Sequence, residues 1–180
     1  MALFRFSKSE NSIVRIEETT LQNEGIVERD IQEALRKELT AIDENLLVVS
    51  PEYSSWEGSH RRVDLLCIEK QAGEDGSYRL VVIELKRASD AHLELQAIRY
   101  SAMVSLLQFE DVVTAYENYL RKYENRRLES NEAFLELIQL LHVEGDFVRI
   151  NPLVRTILVA SEFDPEVTTS VLYLLSLIHI

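Results

Sequence analysis

The fold turns on Arg62-Val63-Asp64-Leu65-Leu66-Cys67-Ile68-Glu69 and Tyr78-Arg79-Leu80-Val81-Val82-Ile83-Glu84-Leu85, two runs of β-forming residues. Between them lies Lys70-Gln71-Ala72-Gly73-Glu74-Asp75-Gly76-Ser77, a cluster of turn formers, so the whole reads as a β-hairpin. A register symmetric about Glu74 sets Asp64 opposite Glu84. Directly paired residues share a face, as do residues two apart on one strand, so Asp64, Glu84 and Lys86 should project together.

That grouping needs an explanation, because both acids sit in apolar runs and a buried carboxylate is costly unless paired. A salt bridge from Lys86 to one of them would satisfy one charge. Two carboxylates against one lysine leave a charge over, which a hard divalent cation such as Mg²⁺ would take with carboxylate, water and phosphate oxygens. A lysine beside such an ion can orient or help deprotonate water and steady charge on a phosphoryl group. The two readings at this point are a buried ion pair and a metal-assisted phosphodiester hydrolase.

Outward from the hairpin, the order is a small N-terminal hairpin (3–6 and 12–17), a helix from Gly25, and a short strand at 46–49. In the helix, Val27, Ile31, Leu35, Leu39 and Ile42 recur on one face. Residues 51–60 read as a polar loop with Trp56 and Gly58, where Trp56 either anchors the loop or stacks on a base. After Lys86 a helix capped by Ser89 or Asp90 should run to about Gln108. Its stripe is Leu93, Ala97, Tyr100 and Val104, widened by Leu95, Ile98, Ala102 and Leu106. Helices at 111–123 and 130–142, the latter stopping near Gly145, precede a buried strand at 153–160. Asp164-Pro165-Glu166 then starts a helix whose apolar continuation, 171–180, should be a core helix running into a strand. It is about half the length needed to span a bilayer. The sum is an α/β domain with a central mixed sheet flanked by helices, divided as a hairpin appendage (1–22) and a main domain (23–180). The apolar end suggests a chain cut short or continuing past Ile180.

Composition narrows the setting. With 180 residues, 46% hydrophobic and 28% charged, the chain has an ordinary globular balance. A lone cysteine, Cys67, excludes an internal disulfide and a cysteine zinc cluster, and its apolar run marks it as a buried thiol. No apolar segment follows the N-terminus as in a signal peptide, so a cytoplasmic protein without membrane attachment is expected. The net charge of −12 opposes nucleic-acid binding unless local clusters offset it. Such clusters are Arg61-Arg62, Lys86-Arg87 with Arg99, and Arg121-Lys122 with Arg126-Arg127, although the last reads first as a solvated helix face. A homodimer is one way for so acidic a domain to assemble a basic groove. His60, His92, His142 and His179 have no ligand spacing.

Asp64, the hairpin, and Ile83-Glu84-Leu85-Lys86-Arg87 resemble the D…E-x-K core of the PD-(D/E)XK nuclease superfamily. Glu28-Arg29-Asp30-Ile31 resembles that family's opening helix, and Gln96 with Tyr100 its Q-x(3)-Y element. The likeness is to the RecB-like and endonuclease NucS-like branches, over about residues 25–104, with Val63 where the motif has proline. It implies a restriction-endonuclease-like core and a divalent-metal-dependent nuclease that hydrolyses phosphodiester bonds, most readily of DNA, through a metal-activated water. Asp64, Glu84, the Leu85 carbonyl and Glu28 would hold Mg²⁺, with Mn²⁺ as substitute. Lys86 would be the base or charge stabiliser, and Gln96 and Tyr100 would position the site or a backbone phosphate. From the residues alone, Glu28 could equally cap its helix and Tyr100 could be core. The alternative functions are a nuclease-like fold serving as a non-catalytic nucleic-acid-binding or assembly module, and a hydrolase of RNA or another phosphodiester.

Overall fold

A computed structural model describes residues 3–54, 61–86, 93–143 and 147–177. Trp56, Gly58, His60, Arg87, Ser89, Asp90, His92, Gly145 and His179 lie outside the described residues, and with them the anticipated loop tryptophan and helix cap.

The elements are β1 (Leu3–Ser7), β2 (Ser12–Ile16), α1 (Glu28–Lys37), β3 (Leu46–Tyr53), β4 (Val63–Glu69), β5 (Tyr78–Lys86), α2 (Leu93–Val104), α3 (Phe109–Tyr123), α4 (Ser130–Leu140), β6 (Ile150–Ala160) and α5 (Pro165–Leu177). β1 and β2 form a separate antiparallel pair, while the main sheet has the order β3-β4-β5-β6. β3, β4 and β5 are antiparallel neighbours, and β6 joins β5 in parallel after the chain has passed through α2, α3 and α4. The domain is thus α/β, a mixed four-stranded sheet flanked by helices and preceded by an antiparallel hairpin.

Strand alternation distributes the core. On one face Leu66, Ile68, Leu80 and Val82 pack with Tyr100, Val104, Val112, Tyr116 and Leu137 from α2, α3 and α4. On the other, Leu65, Cys67, Val81, Ile83 and Leu85 pack with Leu39 and, partly buried, Ile31 and Leu35 from the α1 side. β5 is apolar on both faces because both are covered, as expected of a central strand. Cys67 is fully buried, and burial pushes its thiol pKa up, consistent with a structural thiol.

The central hairpin keeps the expected register. Leu65 pairs with Ile83, Leu66 with Val82, Cys67 with Val81 and Ile68 with Leu80, so the pairing is centred on Glu74. Other expectations are corrected. α1 ends at Lys37, and Leu39 reaches the core from a short 3-10 turn rather than from the same helix. Val27 precedes the helix and is exposed, so the apolar stripe starts at Ile31. β3 continues through Pro51 to Tyr53 where a loop was expected. It has a register shift between Val48 and Ser50 and, among the described residues, pairs on one side with β4, an edge and bulge setting that tolerates proline.

α2 stops at Val104, and its covered stripe is narrow. Ala97, Tyr100 and Val104 are buried, whereas Leu95, Ile98, Ala102 and Leu106 are exposed. β6 is half-buried rather than buried, with Leu153 exposed, because among the described residues it has a strand neighbour on one side only. α5 remains helical to Leu177, with Leu172, Tyr173 and Leu175 exposed, so the part of 171–180 that is described is a surface helix and not a core strand. Among the described residues no helix is long and apolar enough to cross a membrane.

Candidate functional site

The ordered pairs of the β4–β5 ladder run from Ile68 and Leu80 to Leu65 and Ile83, and at the next step the carboxylates take over. The Leu85 amide donates to Asp64 Oδ2 at 2.8 Å, and the Asp64 amide donates to Glu84 Oε1 at 3.4 Å. Each acid thus reaches across to the other strand's backbone. Positions 64 and 84 have the parity of Leu66 and Val82, so they face the α2 side of the sheet.

Burial shapes their chemistry. Glu84 is fully buried and Asp64 half-buried. Burial pushes Glu84 up to about 8, the Asp64 charge adds to the rise, and the Asp64 amide, Lys86 and Gln96 offset part of it. Asp64 is raised too, chiefly by burial, against the Leu85 amide and the Lys86 charge, which lower it, while Glu28 adds to the rise. Burial thus raises both carboxyls, and a further cation at this point would favour their ionised forms.

α2 supplies the next layer. Gln96 Nε2 donates to Glu84 Oε2 at 2.9 Å and to the Tyr100 hydroxyl at 3.4 Å, so the amide joins carboxylate and phenol. Spacing of four on one helix face brings Gln96 and Tyr100 together. Tyr100 is both core and site: its ring is buried, and burial and the Glu84 charge raise its pKa.

α1 supplies the third layer. Glu28 Oε1 lies 3.6 Å from Lys86 Nζ, and both side chains are partly shielded. Glu28 stands in the first turn of α1, where an acid suits the helix N-terminus, while the hydrogen bond to the Val27 amide is accepted by Asp30 Oδ2 at 2.9 Å. One turn beyond Glu28, Gln32 Nε2 donates to the Asp64 carbonyl at 2.7 Å. Gln32 was missed in the sequence reading, although its four-residue spacing from Glu28 carries the same signal as Gln96 and Tyr100.

Asp64, Glu84, Lys86, Gln96, Tyr100 and Glu28 are thus brought to one end of the sheet, with Leu85 between the key pair on β5. Among the described residues no group of three or more His, Cys, Asp and Glu is arranged to hold a metal ion. Glu28 is engaged by Lys86, so among the described residues the oxygens left for a cation are two carboxylates and a main-chain carbonyl. Of the basic clusters, Arg126 is taken up by Glu136 through two bonds, and Arg99 and Arg127 are exposed. Arg61 lies close enough to Tyr100 for its charge to act on the phenol. Compared with family models, curated proteins and solved structures, the chain finds no match, so the site stands on its own geometry.

Proposed function

We propose that this protein is a divalent-metal-dependent nuclease of the PD-(D/E)XK kind, with a restriction-endonuclease-like core, hydrolysing phosphodiester bonds of DNA. One observation carries the reading: Asp64 and Glu84 meet at the end of a buried hairpin, each bonded to the other strand, and among the described residues Lys86 is the cation that acts on both. The donor chemistry fits Mg²⁺ or Mn²⁺, which take one or two protein carboxylates and fill the remaining positions with water and phosphate oxygens. Asp64, Glu84 and the Leu85 carbonyl would hold the ion. When bound, it would supply Lewis-acid polarisation of the phosphate and a more acidic water.

The chain's own groups do the rest. The Leu85 amide fixes the rotamer of Asp64, and Gln96 fixes Glu84 while using Tyr100 as its second acceptor. The Gln32 bond to the Asp64 carbonyl ties α1 to the strand at the same point. Lys86, 3.6 Å from Glu28, can donate to a phosphoryl oxygen and steady the charge that grows there, or pass a proton from water to Glu28. Water adds to phosphorus, the bond to one ester oxygen breaks, and that oxygen leaves with a proton.

The test is cleavage of labelled single-stranded, duplex and branched DNA, and of RNA, in Mg²⁺ or Mn²⁺. Lys86→Ala and Asp64→Asn should each lower the rate by at least about a hundredfold, as removal of a transition-state donor or metal ligand does. EDTA should stop the reaction in the wild type. Cleavage that survives Lys86→Ala and Asp64→Asn would belong to a contaminant and sink the assignment. A folded wild-type protein that cuts none of these substrates would favour a binding or assembly role for the same fold.

A further inference from the structure

A second cluster lies at the same end of the sheet. Tyr53, the last residue of β3, pairs with Val63, and Val63 precedes Asp64. Its neighbour Glu52 has φ of 50°, the left-handed region that a non-glycine residue occupies at a cost. The Glu52 carboxylate collects three partners. Arg62 Nη1 is 3.5 Å from Oε1, Lys122 Nζ is 3.8 Å from Oε2, and the Tyr123 hydroxyl donates to Oε2 at 3.2 Å. Lys122 Nζ also lies 4.7 Å from the centre of the Tyr123 ring. Glu52, Lys122 and Tyr123 border a cleft of about 530 Å³ that Tyr53, Asn118 and Arg121 also line, and Arg62 joins it through its ion pair with Glu52.

Two cations and a phenol around one carboxylate leave a net positive spot on a chain whose charge is −12. The ion pairs are exposed, with side-chain accessibilities of 60% for Arg62, 66% for Lys122 and 40% for Glu52, and pairs so exposed contribute little to stability. Three donors at a weakly held, strained carboxylate are also what a phosphate oxygen would find on replacing it. Arg61 and Arg62 directly precede Val63 and Asp64 in the chain, so two cations lie in sequence next to the Asp64–Glu84 site.

We propose that the cleft is a phosphate subsite for the nucleic-acid strand. At its Glu52 edge Arg62, Lys122 and the Tyr123 hydroxyl hold a backbone phosphate flanking the one at Asp64 and Glu84, and Glu52 is an internal competitor displaced when the strand binds. The strand's identity rests on the proposed hydrolase reading, while the anion site rests on the cluster itself. The ligand chemistry, a phosphate monoanion, is shared by a nucleic-acid backbone and free inorganic phosphate.

The two are separated by fluorescence anisotropy with a short labelled single-stranded DNA, in Ca²⁺ and again in EDTA, with inorganic phosphate as competitor. Arg62→Ala and Lys122→Ala should each weaken binding about three- to tenfold at moderate salt. Each should flatten the dependence of log affinity on log salt by about 0.7, the loss of one phosphate contact on a single strand. Glu52→Gln should do the opposite and tighten binding several-fold, a sign that a purely structural carboxylate would not produce. Weaker or unchanged binding in Glu52→Gln, or no binding by any variant, overturns the subsite. Displacement of the DNA by equimolar inorganic phosphate overturns the strand in favour of the free ion. The exposed Arg62 and Lys122 variants keep the test sound if Glu52→Gln fails to fold. Cleavage that fails while affinities follow this pattern would refute the hydrolase and keep the subsite. Normal cleavage with flat affinities would do the reverse.

Discussion

The chain builds two antiparallel hairpins from similar material and treats them in opposite ways. In β1–β2, alternation puts Leu3, Val14 and Ile16 with Arg5 on one face and Phe4, Phe6 and Ile13 with Arg15 on the other. All six apolar side chains are at least half exposed. In β4–β5, Leu65, Leu66, Cys67, Ile68, Leu80, Val81, Val82 and Ile83 are all fully buried. Both are regular antiparallel pairs. The difference lies in what covers the faces: helices lie on both sides of β4–β5, and only there does a carboxylate pair acquire a perturbed environment. A lone two-stranded hairpin is marginal in water, so burial, and not strand propensity, separates a scaffold from an appendage.

The comparison breaks most visibly through truncation. Leu66→Ala, at a fully buried site, should cost about 2–5 kcal/mol in urea unfolding through lost transfer energy and a cavity. Phe6→Ala, at 61% exposure, should stay within about 0.5 kcal/mol. Equal costs at the two positions would mean that the N-terminal hairpin is packed in solution.

A smaller effect, with a sign of its own, comes from the acids of the buried hairpin. Glu84 has its pKa raised from 4.5 to about 8 on folding. A raised carboxylate keeps its proton in the native state after the unfolded chain has lost it. Its contribution to stability in EDTA should therefore be fully present below about pH 4.5, be lost as pH rises through the window between 4.5 and 8, and stay lost above it. The total loss from this group is on the order of a few kcal/mol. Glu84→Gln should flatten that slope when melting is followed across the window. A wild type whose stability is level there would show the pair to be compensated by other groups.

How much of this was open to sequence reasoning follows from the same contrast. The register that sets Asp64 against Glu84 was readable because an eight-residue turn cluster between two alternating runs leaves few pairings, and a one-residue slip would turn both acids to the wrong face. Gln96 and Tyr100 were readable because four-residue spacing determines a shared helix face. Coverage was not readable. Helical spacing makes Leu95 and Ile98 as plausible a core stripe as Ala97 and Tyr100, and only the position of the sheet decides that the first pair is exposed. Pro51 suggested a loop because its missing N–H is fatal in a central strand, whereas at an edge with a register shift it costs little. Gln32 escaped because its spacing from Glu28 marks a shared helix face but its acceptor is a backbone carbonyl, which the sequence does not mark.

The smallest expected effect gives the sharpest version of the comparison. Removing residues 1–22 deletes β1 and β2, none of whose residues is buried, and stops short of Ile31, the first residue of α1 packed on the core. The melting temperature should move by less than about 2 °C, the shift that half a kcal/mol produces in a domain of this size. Solubility should improve as exposed apolar surface is lost. A drop of many degrees would mean that the hairpin is covered in solution. Its concentration dependence would then show by what: a midpoint that rises with protein concentration in the intact chain, but not in the shortened one, points to a second copy. A concentration-independent drop points to the hairpin folding back on its own domain. In either case the apolar faces of β1–β2 would owe their composition to packing, as those of β4–β5 do.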